Sequence, residues 1–279
     1  MARNRKDVIL IPWDYSEASE VALKHGIQLA REVNNFIMLV RFLEKPGIFT
    51  GKAAKEKIIA EEKEKLKEVG KRVMEEHGTN PYIAVELGSS ASNVSRLARD
   101  AKANLVITGK SYKLNDKVTY SPQGIVKRLK GIDIPFVIAQ EKPAHSYYKE
   151  IVVPLDADKH YKETLQWVVY LSKYYNCNIN IIKPYIKDDF DKKEMANNIY
   201  FTKKMLDKKS IIYGIKTAKK NRDFQDEVLR FSEMIDSDLI VMMVKKYNQF
   251  IAEKPDYDQK IPIMVINRNT TIIKYGGFR

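Results

Sequence analysis

Consecutive apolar residues occur in short runs along the chain, separated by longer stretches in which apolar and charged residues are mixed. In the first half the runs predict five strands, at 8–11, 36–42, 83–87, 105–108 and 136–139. The mixed stretches have the apolar spacing of amphipathic helices, the first capped by Ser16 or Ser19 and the others near 52–76, 90–102 and 125–129. Continuous apolar strands are typical of parallel sheets whose two faces are both covered by helices.

The second half of the chain repeats this pattern. Pro12 corresponds to Pro154, Leu105 to Leu239 and Phe136 to Ile263, at offsets of 142, 134 and 127 residues. The falling offset indicates deletions in the second half, one of them between its fourth and fifth strands. Residues 140–149 interrupt the pattern, so we predict a first domain at 1–143 and a second domain at 147–279.

Strands that alternate with helices imply right-handed βαβ units. We therefore predict an α/β protein of two tandem Rossmann-like domains, each a five-stranded parallel sheet with helices on both faces. Ligands of such sheets bind beyond the carboxyl ends of the strands, where the strand order reverses. Candidate site residues are therefore those that follow the strands.

The composition is that of an ordinary globular protein, with 279 residues, 44% of them apolar and 30% charged. No apolar run approaches the roughly 20 residues that cross a bilayer, so we expect a cytoplasmic protein with no membrane partner. The single cysteine, Cys177, excludes an intramolecular disulfide. The four histidines share no ligand spacing with it, so we expect no metal.

The net charge of +13 raises the question of a nucleic-acid partner. Residues 1–143 hold 25 basic and 18 acidic side chains, and residues 144–279 hold 24 and 18, so the excess is spread evenly. The densest run, 52–71, alternates in sign, as a solvated helix face does. We therefore expect no nucleic-acid binding.

Together these features resemble the universal stress protein family, in both halves of the chain. The residues that carry the resemblance are Pro12-Trp13-Asp14, Ser16-Glu17-Ala18-Ser19, Gly88, Ala103-Asn104-Leu105-Val106-Ile107-Thr108-Gly109 and Ile134-Pro135-Phe136-Val137-Ile138. The resemblance implies an adenine nucleotide alpha hydrolase-like fold. It also implies two classes of member, since some bind ATP or another adenine nucleotide and others do not.

In the binding class, a loop of glycine, two residues, glycine, nine residues, and glycine with Ser or Thr presents backbone N–H groups to the phosphates. Here Gly109 supplies the first glycine, but Tyr112 stands at the second, and Pro122 and Gln123 at the last two positions. The residues that could still contribute to a phosphate site are Lys110, Ser111, Ser121 and a displaced Gly124. The loop is therefore degenerate.

The resemblance also places Asp14 near the adenine and ribose and Val40 near the adenine, while Trp13 could fill the adenine pocket from within. The alternative for Asp14 is that it organises the turn and the start of the helix. The candidate adenine-nucleotide site of the first domain comprises Pro12, Trp13, Asp14, Val40, Gly109, Lys110, Ser121, Gln123 and Gly124. In the second half Met243 replaces Gly109 and the loop is shortened, so we expect no phosphate site there and interpret Asp156 as a turn residue.

Our leading interpretation is a non-enzymatic stress-response protein that acts through association and does not bind ATP. In the family, pairing commonly uses the last strand, so 136–139 and 263–266 would form an intramolecular pseudo-dimer or a homodimer. The alternative is an ATP or AMP sensor, or a weak ATPase, with a single site in the first domain. No nucleophile with a neighbouring base and no dinucleotide fingerprint is present, so we expect no enzyme activity.

Overall fold

The computed structural model describes residues 7–47, 49–155, 161–253 and 260–267. The chain divides into two compact units, with the boundary between Lys142 and Pro143. Each unit alternates strands with helices along its sequence.

The first unit contains seven strands and four helices in its described residues. They are β1 (Val8–Pro12), α1 (Glu17–Val33), β2 (Phe36–Leu43), α2 (Lys52–His77), β3 (Tyr82–Leu87), α3 (Ala91–Asp100), β4 (Ala103–Gly109), β5 (Tyr112–Lys113), β6 (Thr119–Tyr120), α4 (Pro122–Leu129) and β7 (Phe136–Ala139). Five of the strands form a parallel sheet in the order β7-β4-β1-β2-β3. The order reverses between β1 and β4, which is the switch point of the sheet.

The core of this unit lies on both faces of its sheet. Every residue of β4 is buried, which requires cover on both sides because successive side chains of a strand point to opposite faces. Ser16 caps α1 by accepting a hydrogen bond from the amide of Ser19, and Ser90 caps α3 in the same way from Asn93.

The second unit repeats the strand order of the first. Its elements are β8 (Glu150–Pro154), α5 (Tyr161–Tyr175), β9 (Asn178–Lys183), α6 (Asp189–Lys208), β10 (Tyr213–Thr217), α7 (Phe224–Met234), β11 (Leu239–Met243), α8 (Val244–Glu253) and β12 (Ile263–Ile266). Its sheet is parallel, in the order β12-β11-β8-β9-β10. The predicted α/β fold, with a five-stranded parallel sheet in each half, is confirmed.

Two elements differ from the sequence-based expectation. The stretch after β4 contains an antiparallel hairpin, in which Tyr112 of β5 pairs with Tyr120 of β6. In the second unit, β11 passes directly into α8, so a helix starts where the first unit has its hairpin.

Candidate functional site

The turn after β1 is held by the side chain of Asp14. One carboxylate oxygen of Asp14 accepts hydrogen bonds from the amide and hydroxyl of Ser16, and the other accepts one from the amide of Lys113 in β5. Asp14 is buried, and both of its oxygens are engaged within the first unit. It therefore organises the start of α1 and ties the hairpin to the end of β1.

At this edge of the sheet, the end of β1 contacts β2 through Pro12, Trp13 and Val40. Pro12 is the last residue of β1 and lies opposite Val40 of β2, and the amide of Trp13 donates to the carbonyl of Val40 at 2.7 Å. The indole of Trp13 is fully buried, and its Nε1 has no hydrogen-bond partner among the described residues. Trp13 is therefore part of the core at this edge of the sheet, and its filling of an adenine pocket stays a prediction.

Gly109 is required by packing between β4 and α1. A Cβ on Gly109 would lie 2.3 Å from the carbonyl oxygen of Ala18 and 2.6 Å from its carbonyl carbon. Because these are backbone atoms of α1, they cannot yield as a flexible side chain would. The glycine at this position therefore has a steric reason that is independent of any phosphate.

Tyr112, which stands at the second glycine position of the family loop, turns its ring into the sheet edge. Its oxygen accepts from the amide of Phe42 at 2.9 Å and from Arg41 at 3.1 Å, and its proton is directed to the carbonyl of Phe42 at 3.1 Å. Burial raises the pKa of Tyr112 to about 12, so the phenol stays protonated and remains a donor at neutral pH. β1 ends opposite Val40, so the phenol bonds the part of β2 that extends past the end of β1.

A buried ion pair between Arg41 and Glu62 contacts the β5–β6 hairpin. The guanidinium of Arg41 lies 3.3 Å from the carboxylate of Glu62 in α2 and donates to the carbonyls of Lys113 and Leu114, at 2.9 and 3.1 Å. Both charged side chains are largely buried. Tyr15 has a left-handed φ of 63°, and its partial burial, followed by the influence of the Glu62 carboxylate, raises the pKa of its phenol. Arg41 thus connects β2, α2 and the hairpin.

The remaining predicted residues follow β4 or lie at the start of α4. Ser121 caps α4 by accepting from the amide of Gly124 at 3.4 Å, and the side chains of Lys110 and Gln123 are exposed. Pro122 has no N–H, and the amide of Ile125 already bonds the carbonyl of Ser121. The first turn of α4 therefore offers few free donors to an anion.

A small cavity of about 40 Å³ remains at this edge of the sheet. Its lining includes Pro12, Phe42, Thr108, Tyr112, Tyr120 and Arg128. That volume is room for roughly three water molecules, whereas pockets for small-molecule ligands measure about 300–1,000 Å³. Of the predicted site residues only Pro12 lines it, while Asp14 and Gly109 are engaged in internal contacts.

Sequence reasoning missed Arg41, Glu62, Tyr120 and Arg128. Arg41 left one signal, since it is the only charged residue in the apolar strand 36–43. The guanidinium of Arg128 lies 3.2 Å from the centre of the Tyr120 ring, and its buried Nε has no partner among the described residues. Tyr112 was recognised as a departure from the glycine pattern, but its role as an occupant of the site was not.

In the described residues of the second unit, a helix follows the fourth strand where the first unit has the loop of its candidate site. Met243 ends β11 and is followed at once by α8, and Asp156 lies outside the described residues. In the part of the chain that the structure describes, no group of His, Cys, Asp or Glu side chains is arranged to hold a metal ion. No helix of that part is both long and apolar enough to cross a membrane.

Comparison with known proteins finds a family match in the first unit. Residues 6–114 match the sequence model of the universal stress protein family. The first unit therefore belongs to the universal stress protein family, and the second unit repeats its strand order in tandem. No curated protein matches the sequence.

Solved structures of similar overall fold span nearly the whole chain. A universal stress protein from Archaeoglobus fulgidus DSM 4304 aligns with a TM-score of 0.67 and 14% identity, covering 95% of this chain and 97% of that one. A putative universal stress protein from Pseudomonas aeruginosa UCBPP-PA14 aligns with a TM-score of 0.57 and 11% identity, covering 99% and 98%. At these identities the likeness establishes the tandem fold.

A universal stress protein from Archaeoglobus fulgidus in complex with dAMP aligns with 43% of this chain and 98% of its own, at 13% identity and a TM-score of 0.36. That likeness is too distant to transfer a binding site.

Proposed function

We propose that this protein is a non-enzymatic stress-response protein that acts through association, and that its first unit does not bind ATP. The observation that carries the proposal is the position of Tyr112. Its phenol bonds the backbone of Phe42 at the carboxyl end of the sheet, and the space beside it is far smaller than an adenine nucleotide. A ligand at this edge would have to displace a buried, hydrogen-bonded ring.

The phosphate side of the site supports the same proposal. A phosphate is held by several backbone N–H groups that converge on it. Here Gly109 packs against α1, the amide of Gly124 bonds Ser121, and Pro122 has no N–H to offer. Each missing charge-assisted hydrogen bond weakens binding by about 1.5–3 kcal/mol, so the loss of two weakens it by about a hundredfold or more.

Calorimetric titration of the full chain with ATP and with AMP tests this proposal. We expect no binding in the micromolar range, and no nucleotide in the mass spectrum of small molecules released when the purified protein is denatured. Submicromolar affinity, two sites per chain, or stoichiometric release of nucleotide would contradict it.

The second candidate is an adenine-nucleotide sensor or weak ATPase with one site in the first unit. The specific observation in its favour is Arg128, which lines the cavity and whose buried Nε has no partner among the described residues, while the exposed Lys110 follows β4. Under this alternative, Lys110→Ala and Arg128→Ala would each weaken nucleotide binding. A Lys127→Ala variant, which removes an exposed cation next to Arg128, would leave it unchanged.

The association that we propose uses the fifth strand of each sheet. β7 and β12 stand at one end of the strand order in their own units. Parallel strands at such a position offer main-chain groups for strand pairing, either within one chain or between two chains.

A further inference from the structure

The two units contain equivalent long helices that differ in whether their lysines have acidic partners. α2 and α6 each follow the second strand of their unit. Along α2, cations are neutralised by acidic partners three or four residues away, as in the pairs Lys57–Glu61, Lys67–Glu64 and Lys71–Glu68. α2 therefore presents a charge-balanced surface, as its sequence predicted.

The outward face of α6 is not balanced in this way. Met195, Thr202 and Leu206 are buried, so the opposite side of the helix faces solvent. The exposed residues on that side are Phe190, Lys193, Asn197, Tyr200, Lys204 and Lys208. None of the three lysines has an acidic partner within the described residues, and the rings of Phe190 and Tyr200 are 72% and 68% exposed. We call these six residues the α6 face.

No ion pair among the described residues joins these three lysines to the acidic residues of α6, which are Asp189, Asp191, Glu194 and Asp207. Asp189 is paired with Lys192, and Asp207 accepts a hydrogen bond from the hydroxyl of Tyr213 at 2.9 Å. Beyond the amino end of the helix, the loops after β9 and β10 bring the ammonium of Lys220 to 5.7 Å from the ring centre of Tyr185. Aromatic and basic groups thus continue past the helix.

The two halves carry similar net charges, but within the second half the basic residues are concentrated in one segment. Residues 183–222 hold 12 of the 24 basic side chains of the second half and only 5 of its 18 acidic ones. The net positive charge of the second half therefore lies in this segment, which includes all of α6.

We propose that the α6 face binds single-stranded nucleic acid. Lysines without partners attract phosphates, and exposed aromatic rings provide platforms on which successive bases stack whatever their sequence. Lys193 and Lys208 are separated by 15 residues, or about 22 Å along the helix, which spans several nucleotides. A lipid surface fits less well, because the rings alternate with lysines along one face instead of forming a continuous apolar side.

Fluorescence anisotropy of the full chain with labelled oligothymidine of about twelve nucleotides tests the proposal. We expect binding at about 50 mM salt that weakens steeply as salt is added. Lys193→Gln/Lys204→Gln/Lys208→Gln should lower the affinity at least about tenfold and reduce the slope of log K against log salt by about 2. Phe190→Ala/Tyr200→Ala should lower the affinity at least about fivefold with the slope unchanged.

The matched control is Lys57→Gln/Lys67→Gln/Lys71→Gln on α2, which removes the same charge from the equivalent helix. It should retain nearly wild-type affinity, and circular dichroism should show that all variants melt as the wild type does. The proposal is overturned by absence of salt-dependent binding, or by an equal loss in the α2 control. It is also overturned if vesicles with about one-third phosphatidylserine capture the protein through Phe190 and Tyr200 while the oligonucleotide is not bound.

Discussion

The phenol oxygen of Tyr112 lies 2.9 Å from the amide nitrogen of Phe42 and 3.1 Å from the carbonyl oxygen of the same residue. A single side chain thus satisfies both main-chain groups of a strand residue that lies past the end of the neighbouring strand. Ligands of such sheets usually bind at the carboxyl edge, and here the ring of Tyr112 lies at that edge.

Two substitutions distinguish the contribution of the Tyr112 hydroxyl to stability from the contribution of its ring. Tyr112→Phe leaves the Phe42 groups buried without a partner, and we expect a loss of about 1–3 kcal/mol in the free energy of unfolding. Tyr112→Ala also removes the ring, for a loss of about 3–5 kcal/mol, and enlarges the adjoining cavity. Urea denaturation measures both values.

The enlarged cavity gives Tyr112→Ala a distinctive property. A ring-sized cavity with a donor and an acceptor should bind p-cresol, so millimolar p-cresol should raise the melting temperature of Tyr112→Ala but not of the wild type or Tyr112→Phe. If p-cresol shifts all three proteins equally, the ring does not occupy a discrete site.

The Arg41–Glu62 pair should behave as a coupled buried unit. Arg41→Ala and Glu62→Ala each leave a buried charge without its partner, so we expect each to cost about 3–5 kcal/mol. The double variant should cost clearly less than the sum, which a double-mutant cycle measures. Lys65→Ala is the control, because its ammonium contacts Glu62 from an exposed position and should cost at most about 1 kcal/mol. Additive single effects would show that the two charges are not coupled.

Gly109→Ala tests whether that glycine is required for packing. The new methyl group would meet the backbone of Ala18 at 2.3 Å, so we expect a loss of about 1–3 kcal/mol or more without any nucleotide present. Gly214→Ala in β10, where a Cβ has nothing within 4 Å, should change stability little. Equal stability of the two variants would show that Gly109 is not sterically constrained.

The fold was predictable because its determinants are local and repeated. Apolar runs mark the five sheet strands of the first unit, and recurring landmarks such as Pro12 and Pro154 reveal the duplication. The hairpin was not predictable, because β5 and β6 have two residues each. Arg41, some 70 positions away, bonds the carbonyls of Lys113 and Leu114, and no local pattern reports such a contact.

The sequence predicted which edge of the sheet carries the candidate residues, but not which side chains occupy that edge. The residues after β1 and β4 do lie at the switch point of the sheet. The sequence could show that Tyr112 breaks the glycine pattern, but the direction of its ring depends on where β1 ends relative to β2. The exposure of the α6 face escaped the charge count for a similar reason, since a sum over half the chain does not resolve one helix surface.

Association through the fifth strands remains a prediction. Charge substitutions at Val137 in β7 and Met264 in β12 should loosen it, giving a lower mass or a larger hydrodynamic radius together with a lower melting temperature. Leu10→Asp in β1 and Val152→Asp in β8 are controls, since they damage the central strand of each sheet, which does not pair with the fifth strand. Wild-type mass, radius and stability in both fifth-strand variants would place the interface elsewhere.

His145 contacts two carboxylates, so the stability of the protein should depend on pH through this side chain. Its Nδ1 lies 2.6 Å from a carboxylate oxygen of Asp238 and its Nε2 lies 3.0 Å from one of Asp236. Only the imidazolium can donate from both nitrogens. The hydrogen bond to Asp238, and then its charge, raise the pKa of His145 above its usual value.

A raised pKa in the folded state fixes the sign of the pH dependence. The stability that His145 contributes is complete below its unfolded pKa of about 6.5, and it is lost as the pH rises through the folded pKa. The melting temperature of the wild type should therefore fall more than that of His145→Gln between about pH 6 and pH 8. His25 has the opposite sign, because burial lowers its pKa and its contribution is lost as the pH falls below about 6.5. Asp236→Asn should reduce the His145 effect only in part, since Asp238 makes the shorter contact. If the melting temperatures of the wild type and His145→Gln change equally with pH, protonated His145 does not stabilise the fold.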